Sequence, residues 1–314
     1  MNQQFLNDVL EGLNKKPQKT LPSKYFYDKK GDELFVQIMA APEYYLTNAE
    51  MDIFQNKTDE MISALDIQPE INYNLIELGA GDGTKTFHLL DRMVSRGFQF
   101  EYMPVDISKN ALTGLESMLN KRLPELKVIP QQGDYFVTLE QLKMNNKPKI
   151  VLVLGSNIGN LQDHLAAEFI YKLGANLKKG DKIVLGVDLI KAKEIVLPAY
   201  NDAKGITAEF NLNLLDRINS ELNGNFNRQY FVHKPYYEEN EGIAKSFLMS
   251  TIKQKVSVFG KEFEFDEGET IQTEISRKYK DEIIYQILSN TDIVLEKKIM
   301  DSNSLFADYI LKRN

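Results

Sequence analysis

The residues of this chain best suited to chemistry are glycines and acids at the ends of apolar segments. In Leu75–Thr86, LIELGAGDGTKT, an apolar run closes on Glu77, and Gly79, Gly81 and Gly83 follow at alternate positions. Glycine there permits positive φ and lets a ligand approach the backbone with no Cβ in the way. Phe98–Ile107, FQFEYMPVDI, brings Asp106 to the end of a second apolar segment, and LKVIPQQGDYF ends on Asp134 and Tyr135. An acid at the tip of the second strand of a doubly wound sheet can accept both hydroxyls of a ribose. Lys149–Leu161, KIVLVLGSNIGNL, opens from a fully apolar run into a small-residue turn. A single strand-end Asp is ordinarily a turn or helix-cap residue, and glycines also make plain turns. Set in register, these groups describe one nucleoside-type cleft at the carboxyl edge of a parallel sheet.

The elements that must carry them alternate from about Asn74 to Asp188, strand then helix, the pattern of a parallel α/β sheet. DKIVLGVDLI, Asp181–Ile190, reads as the fifth strand. A helical region, AYNDAKGITAEFNLNLLDRINSEL, then interrupts the series. Strand-like pieces follow in KSFLMSTIKQKVSVFG and KEFEFDEGETIQTEISRKY. The sheet resumes with the helix DEIIYQILSN, the strand DIVLEKKIMD and the terminal SLFADYILK. The expected division is a core of 56–190 and 280–314, with 1–55 and 191–279 forming a second domain.

Composition fits a soluble enzyme. The 314 residues are 43% hydrophobic and 26% charged, ordinary globular values. A net charge of −7 with no basic stripe argues against nucleic-acid binding through phosphate neutralisation. With no cysteine there is no disulfide, thiolate metal site or cysteine nucleophile. His88, His164 and His233 show no ligand spacing, so no metal is expected. The polar start carries no signal peptide, and no apolar run reaches the roughly 20 residues of a membrane span. A cytoplasmic monomer with no membrane partner is the expectation.

The glycine turn with an acid just before it resembles the first motif of class I S-adenosylmethionine (SAM) methyltransferases. The resemblance implies that an acid on the third segment reads the adenine amino group and that the aromatic beside it covers the ring. The N-terminal segment supplies Tyr25, Phe26, Tyr27, Phe35, Tyr44 and Tyr45. Most of these are expected as packing. Tyr27 and Tyr44 suit the implied chemistry, because aromatic faces attract both a sulfonium and an ammonium.

LPSKYFYDKKGDELFVQIMAAPEYYLTNAE, ELGAGDGTKT, LGSNIGNL, GVDLIK, AYNDAKGITAEFNLNLL and TEISRKY, in that order, are similar to the histidine-specific SAM-dependent methyltransferase family. The likeness runs over about 20–314. It implies a Rossmann-like core and a substrate-binding α+β domain built from the N-terminal segment and the insertion. By resemblance, the cofactor residues are Gly79, Lys85, Asp106, Asp134, Tyr135 and Gly155. The substrate α-carboxylate falls to Asn160 and Tyr200, the α-amine to Tyr27 and Tyr44, and the side chain to Glu274 and Ser276. Asn160 could equally cap the next helix. In AKSFLM, where many relatives carry an I-E-M pattern, Phe247 stands at the methionine's place and alters the expected pocket wall. The implied activity is in-line methyl transfer to the α-amine of L-histidine, with Tyr27 orienting the amine. The same chemistry on another amine, or a silent SAM-binding regulator, are the alternatives.

Overall fold

The computed structural model describes residues 2–143 and 146–314 and divides into two compact units. One comprises Met1–Tyr45 and Lys191–Arg277, the other Leu46–Ile190 and Lys278–Asn314. Among the described residues no helix is long and apolar enough to cross a membrane.

The larger unit is built on one mostly parallel sheet. Tyr73–Leu78 lies between Phe100–Asp106 and Lys149–Val153, parallel to both, and Lys149–Val153 is parallel to Lys182–Asp188. The last strand, Phe306–Arg313, slots in antiparallel between Lys182–Asp188 and Ile293–Met300. Along the central strands every residue is buried. Alternation explains this: Leu75 joins an apolar cluster with Ile53, Phe54, Leu89 and Leu90, while Ile76 joins another with Val151, Ile170 and Ile284. Helices cover both faces, so both sets of alternate side chains are mostly apolar.

The third segment expected from the sequence is broken. Lys127–Val128 and Gln131–Gln132 pair separately with Phe100–Asp106, and Pro130 lies between them with no N–H to donate.

In the smaller unit a four-stranded sheet runs in the order Lys19–Thr20, Thr270–Arg277, Ile243–Ser250, Phe231–Glu238. Its apolar face packs on the helices Gln3–Asn14 and Ile206–Leu222 through Phe5, Val9, Phe210, Leu214, Leu248 and Ile271. Phe231–Glu238 escaped the sequence reading because Pro235 interrupts it. The strand lies at the sheet edge, where proline is tolerated. The piece read as KSFLMSTIKQKVSVFG is two strands, the second of which, Gln254–Val258, forms a separate hairpin with Lys261–Phe265.

Candidate active site

The glycine turn follows the carboxyl end of Tyr73–Leu78. Gly79 has φ +74°, and a Cβ on it would lie 2.7 Å from Tyr135 Oη. The absent side chain therefore makes room for the tyrosine. Asp106, at the tip of its strand, accepts the Gly81 N–H at 3.2 Å and the Ser108 N–H at 2.8 Å. Asp134 Oδ1 accepts the N–H groups of Phe136 and Val137, so it also caps the helix Tyr135–Lys143. Burial pushes the Tyr135 phenol up to about 12, and the charges of Asp106 and Asp134 add to the shift. Gly79, Asp106, Asp134 and Tyr135 thus form one group.

Lys85 reaches a second group. Its ammonium pairs with Glu50, a buried acid on the helix Tyr45–Asn56 that the sequence did not single out. Both Glu50 carboxylate oxygens accept the Gly155 N–H, at 2.8 and 3.0 Å. Burial disfavours the Lys85 charge, but the neighbouring acids, Glu50 foremost, together raise the pKa. Glu77, the acid before the turn, accepts hydrogen bonds from Thr86 and Tyr102 and so ties strand to helix.

Gly155 has φ +72° and begins the turn that carries Asn160. The turn is anchored from below: Ser156 Oγ accepts the Asp188 N–H at 3.0 Å, and the Tyr279 hydroxyl donates to the Ile158 carbonyl at 3.2 Å. A fully buried Lys278–Asp188 ion pair at 2.7 Å backs the same place. Asn160 is exposed at the end of this turn. The following helix, Asp163–Ala175, has Gln162 at its N-cap position, so Asn160 is not that cap.

These residues fit a nucleoside-bearing cofactor. The glycines leave the turns open, an acid stands at the second strand tip, an aromatic lies beside it, and a lysine is held at the next turn.

The remaining expected residues lie on the smaller unit. Tyr27, 43% exposed, meets Phe35 and Phe210 edge-on with ring centroids 5.5 and 5.7 Å apart. Phe35 also meets Tyr44 edge-on at 6.4 Å, so one phenylalanine bridges both tyrosines. The buried Tyr200 donates its hydroxyl hydrogen to Ser276 Oγ at 2.8 Å. Two residues on, Asp202 accepts the N–H groups of Ile206 and Thr207 and fastens the AYNDAKG turn to its helix.

Glu274 is not beside Phe247. The pairing register shifts between Gln272 and Glu274, so that Phe247 faces Gln272 and Ser246 faces Glu274. Ser246 is fully buried and donates to Glu274 Oε2, whereas Phe247 alternates to the other face of the strand. Ser246, not Phe247, is therefore the residue paired with Glu274. Period-2 alternation would have found it had the bulge been legible.

The strand order and the glycine turn with its acids define a class I SAM-dependent methyltransferase. A family profile described as histidine-specific methyltransferase, SAM-dependent, matches residues 5–313. The chain is 34% identical over 279 residues to a histidine N-alpha-methyltransferase of Mycobacterium tuberculosis, covering 88% of this chain and 85% of that relative. It is 34% identical over 288 residues to the protein of the same name from Mycolicibacterium smegmatis, covering 91% of this chain and 88% of that one. Ergothioneine biosynthesis protein 1 of Schizosaccharomyces pombe is 28% identical over 307 residues, which are 93% of this chain and 39% of that longer protein. The protein belongs to the histidine-specific, SAM-dependent methyltransferase family.

Proposed function

We propose that this protein transfers methyl groups from SAM to the α-amine of L-histidine, continuing to the trimethylated product. The observation that carries the substrate assignment is the polar pair on one strand. Glu274 is oriented by Ser246 and Ser276 by Tyr200, through hydrogen bonds of 3.2 and 2.8 Å. A carboxylate and a hydroxyl so fixed suit the two nitrogens of an imidazole, one as acceptor and one as donor.

Asp106 would take the ribose hydroxyls, Asp134 the adenine amino group, and Tyr135 the ring face. Lys85 and Gly155 would hold the methionine part. When bound, SAM supplies a methyl carbon on a positively charged sulfur, and the amine nitrogen bonds to that carbon as the carbon–sulfur bond breaks. No covalent enzyme intermediate is needed, so the protein contributes position and exclusion of water.

Asn160 would bind the α-carboxylate through its amide, and Tyr200 would join it by turning its one hydroxyl hydrogen from Ser276 to the carboxylate, which leaves no charge buried alone. The amine must be neutral to attack, and a proton leaves it before each transfer. Tyr27 is the group assigned to orient the lone pair and pass that proton to water. The exposure of its ring and the aromatic bridge to Tyr44 support this role. Aromatic faces accept an increasingly methylated cation, as three transfers require.

The test is incubation with SAM and an equimolar mixture of amino acids, followed by mass spectrometry. Methylated histidine is expected. Methylation of another amino acid would keep the chemistry and move the specificity, and no product despite SAM binding would favour a regulator.

A further inference from the structure

We propose that Glu50 is the positioning residue for Lys85 and Gly155, and that Asp308 stands behind it as a neutral carboxylic acid. The inference rests on the reading of Lys85 and Gly155 as cofactor residues.

Glu50 is buried at 1% exposure, and its carboxylate serves two turns at once. It takes the Lys85 ammonium at the start of the helix Thr86–Ser95 and the Gly155 N–H after the strand Lys149–Val153. The Lys85 ammonium, which has two further hydrogens, and the Gly155 turn, whose N–H is spent on Glu50, are therefore held relative to one another before any ligand arrives. Preorganised groups lose less freedom on binding.

Asp308 explains how one more acid is tolerated there. It lies on the last strand opposite Gly186, and a Cβ on Gly186 would collide with Glu50 Oε1 and lie 2.9 Å from Asp308 Oδ1. Both carboxyls converge on the space that glycine leaves. Asp308 is fully buried, and neither of its oxygens has a hydrogen-bond partner among the described residues. An ionised carboxylate in that state, next to the ionised Glu50, is strongly unfavourable. Lys85 carries one positive charge and is hydrogen-bonded to Glu50. A proton on Asp308 resolves the surplus and leaves the single negative charge where the lysine needs it. Burial and the Glu50 charge both push Asp308 well above the usual carboxylate range, with Lys85 opposing. Besides Glu50, the charge of Glu77 reaches Lys85, and so would that of Asp308 if it were ionised.

Two measurements test this. Infrared spectra of the wild type and Asp308→Asn, taken at pH 9 so that Glu77 is ionised, should differ by the carbonyl stretch of a protonated acid. Absence of that band in the wild type would overturn the Asp308 assignment. Calorimetric binding of SAM and of S-adenosylhomocysteine should weaken by about tenfold or more in Glu50→Gln and by less than about threefold in Asp308→Asn. In a Lys85→Met background, Glu50→Gln should add little further loss, because it acts through Lys85. Unchanged affinity in Glu50→Gln, or fully additive losses, would overturn the positioning role. If Glu50→Gln does not fold, Glu50→Asp replaces it in the same cycle. A protein that binds SAM but does not methylate histidine would contradict the substrate assignment and leave this inference standing.

Discussion

Ser246 donates its hydroxyl hydrogen to Glu274 Oε2 at 3.2 Å, across a bulge that leaves Thr273 as the extra residue of the strand. Thr273 turns its hydroxyl to Asn211 on the packed helix, at 2.6 Å, and anchors the bulge. A bulge re-aims a side chain, and here it sets Glu274 opposite a short polar residue. Glu274→Gln is expected to lower kcat/KM for histidine by about 10- to 100-fold, the range for losing a charged hydrogen bond. Ser246→Ala should lower it by about fivefold, as loss of an orienting hydrogen bond worth about 1 kcal/mol would. SAM affinity should not change in either. Steady-state kinetics with direct cofactor-binding measurements check both.

Tyr27 stands edge-on to Phe35 and Phe210, and a phenylalanine ring would keep both contacts. Tyr27→Phe should keep the aromatic face and lose the hydrogen bond to the amine. The expected outcome is a changed ratio of mono-, di- and trimethylated product with SAM affinity preserved. Product profiles by mass spectrometry read this, and an unchanged profile would remove the role.

Glu77 is pushed up to about 7 by burial, against the hydrogen bonds from Thr86 and Tyr102 and the charge of Lys85. The folded state therefore holds this proton between about pH 4.5 and 7, where the unfolded chain has lost it. The stabilisation is complete below the unfolded value and is lost as pH rises through about 7. Glu77→Gln stays neutral throughout. Urea unfolding at pH 5 and 8 should show the variant gaining on the wild type at the higher pH, by up to about 3 kcal/mol.

His233 has the opposite sign. Burial lowers it to about 4, with Asp202 opposing. A neutral imidazole in the folded state contributes stability above the unfolded value of 6.5, and this is lost as pH falls through about 4. His233→Gln should flatten the decline in melting temperature between pH 7 and 4.5, and an equally steep decline would contradict the assignment.

The parallel sheet was legible because its strands are continuous apolar runs that end on glycine or acid, as in LIELGAG and YMPVDI. Both covered faces force that composition. The position of Asp106 was legible for the same reason, as it ends its strand, whereas Tyr135 opens the helix after the short strand Gln131–Gln132. Features set by contacts distant in sequence were not. Glu50 looks like any acid on an amphipathic helix until Lys85 and Gly155 meet it. Ser246 could be told from Phe247 only through a register shift fixed by Asn211 and Thr273. Pro235 hid an edge strand because local propensity carries no information about which strand lies at the edge.

Methyl transfer to the α-nitrogen of histidine is read most directly by NMR of the product formed from L-histidine and SAM labelled with carbon-13 at its methyl group. Labelled methyl groups on the α-nitrogen and an unlabelled imidazole are expected. Label on a ring nitrogen, or no labelled histidine from protein that binds SAM, would contradict transfer to the α-nitrogen.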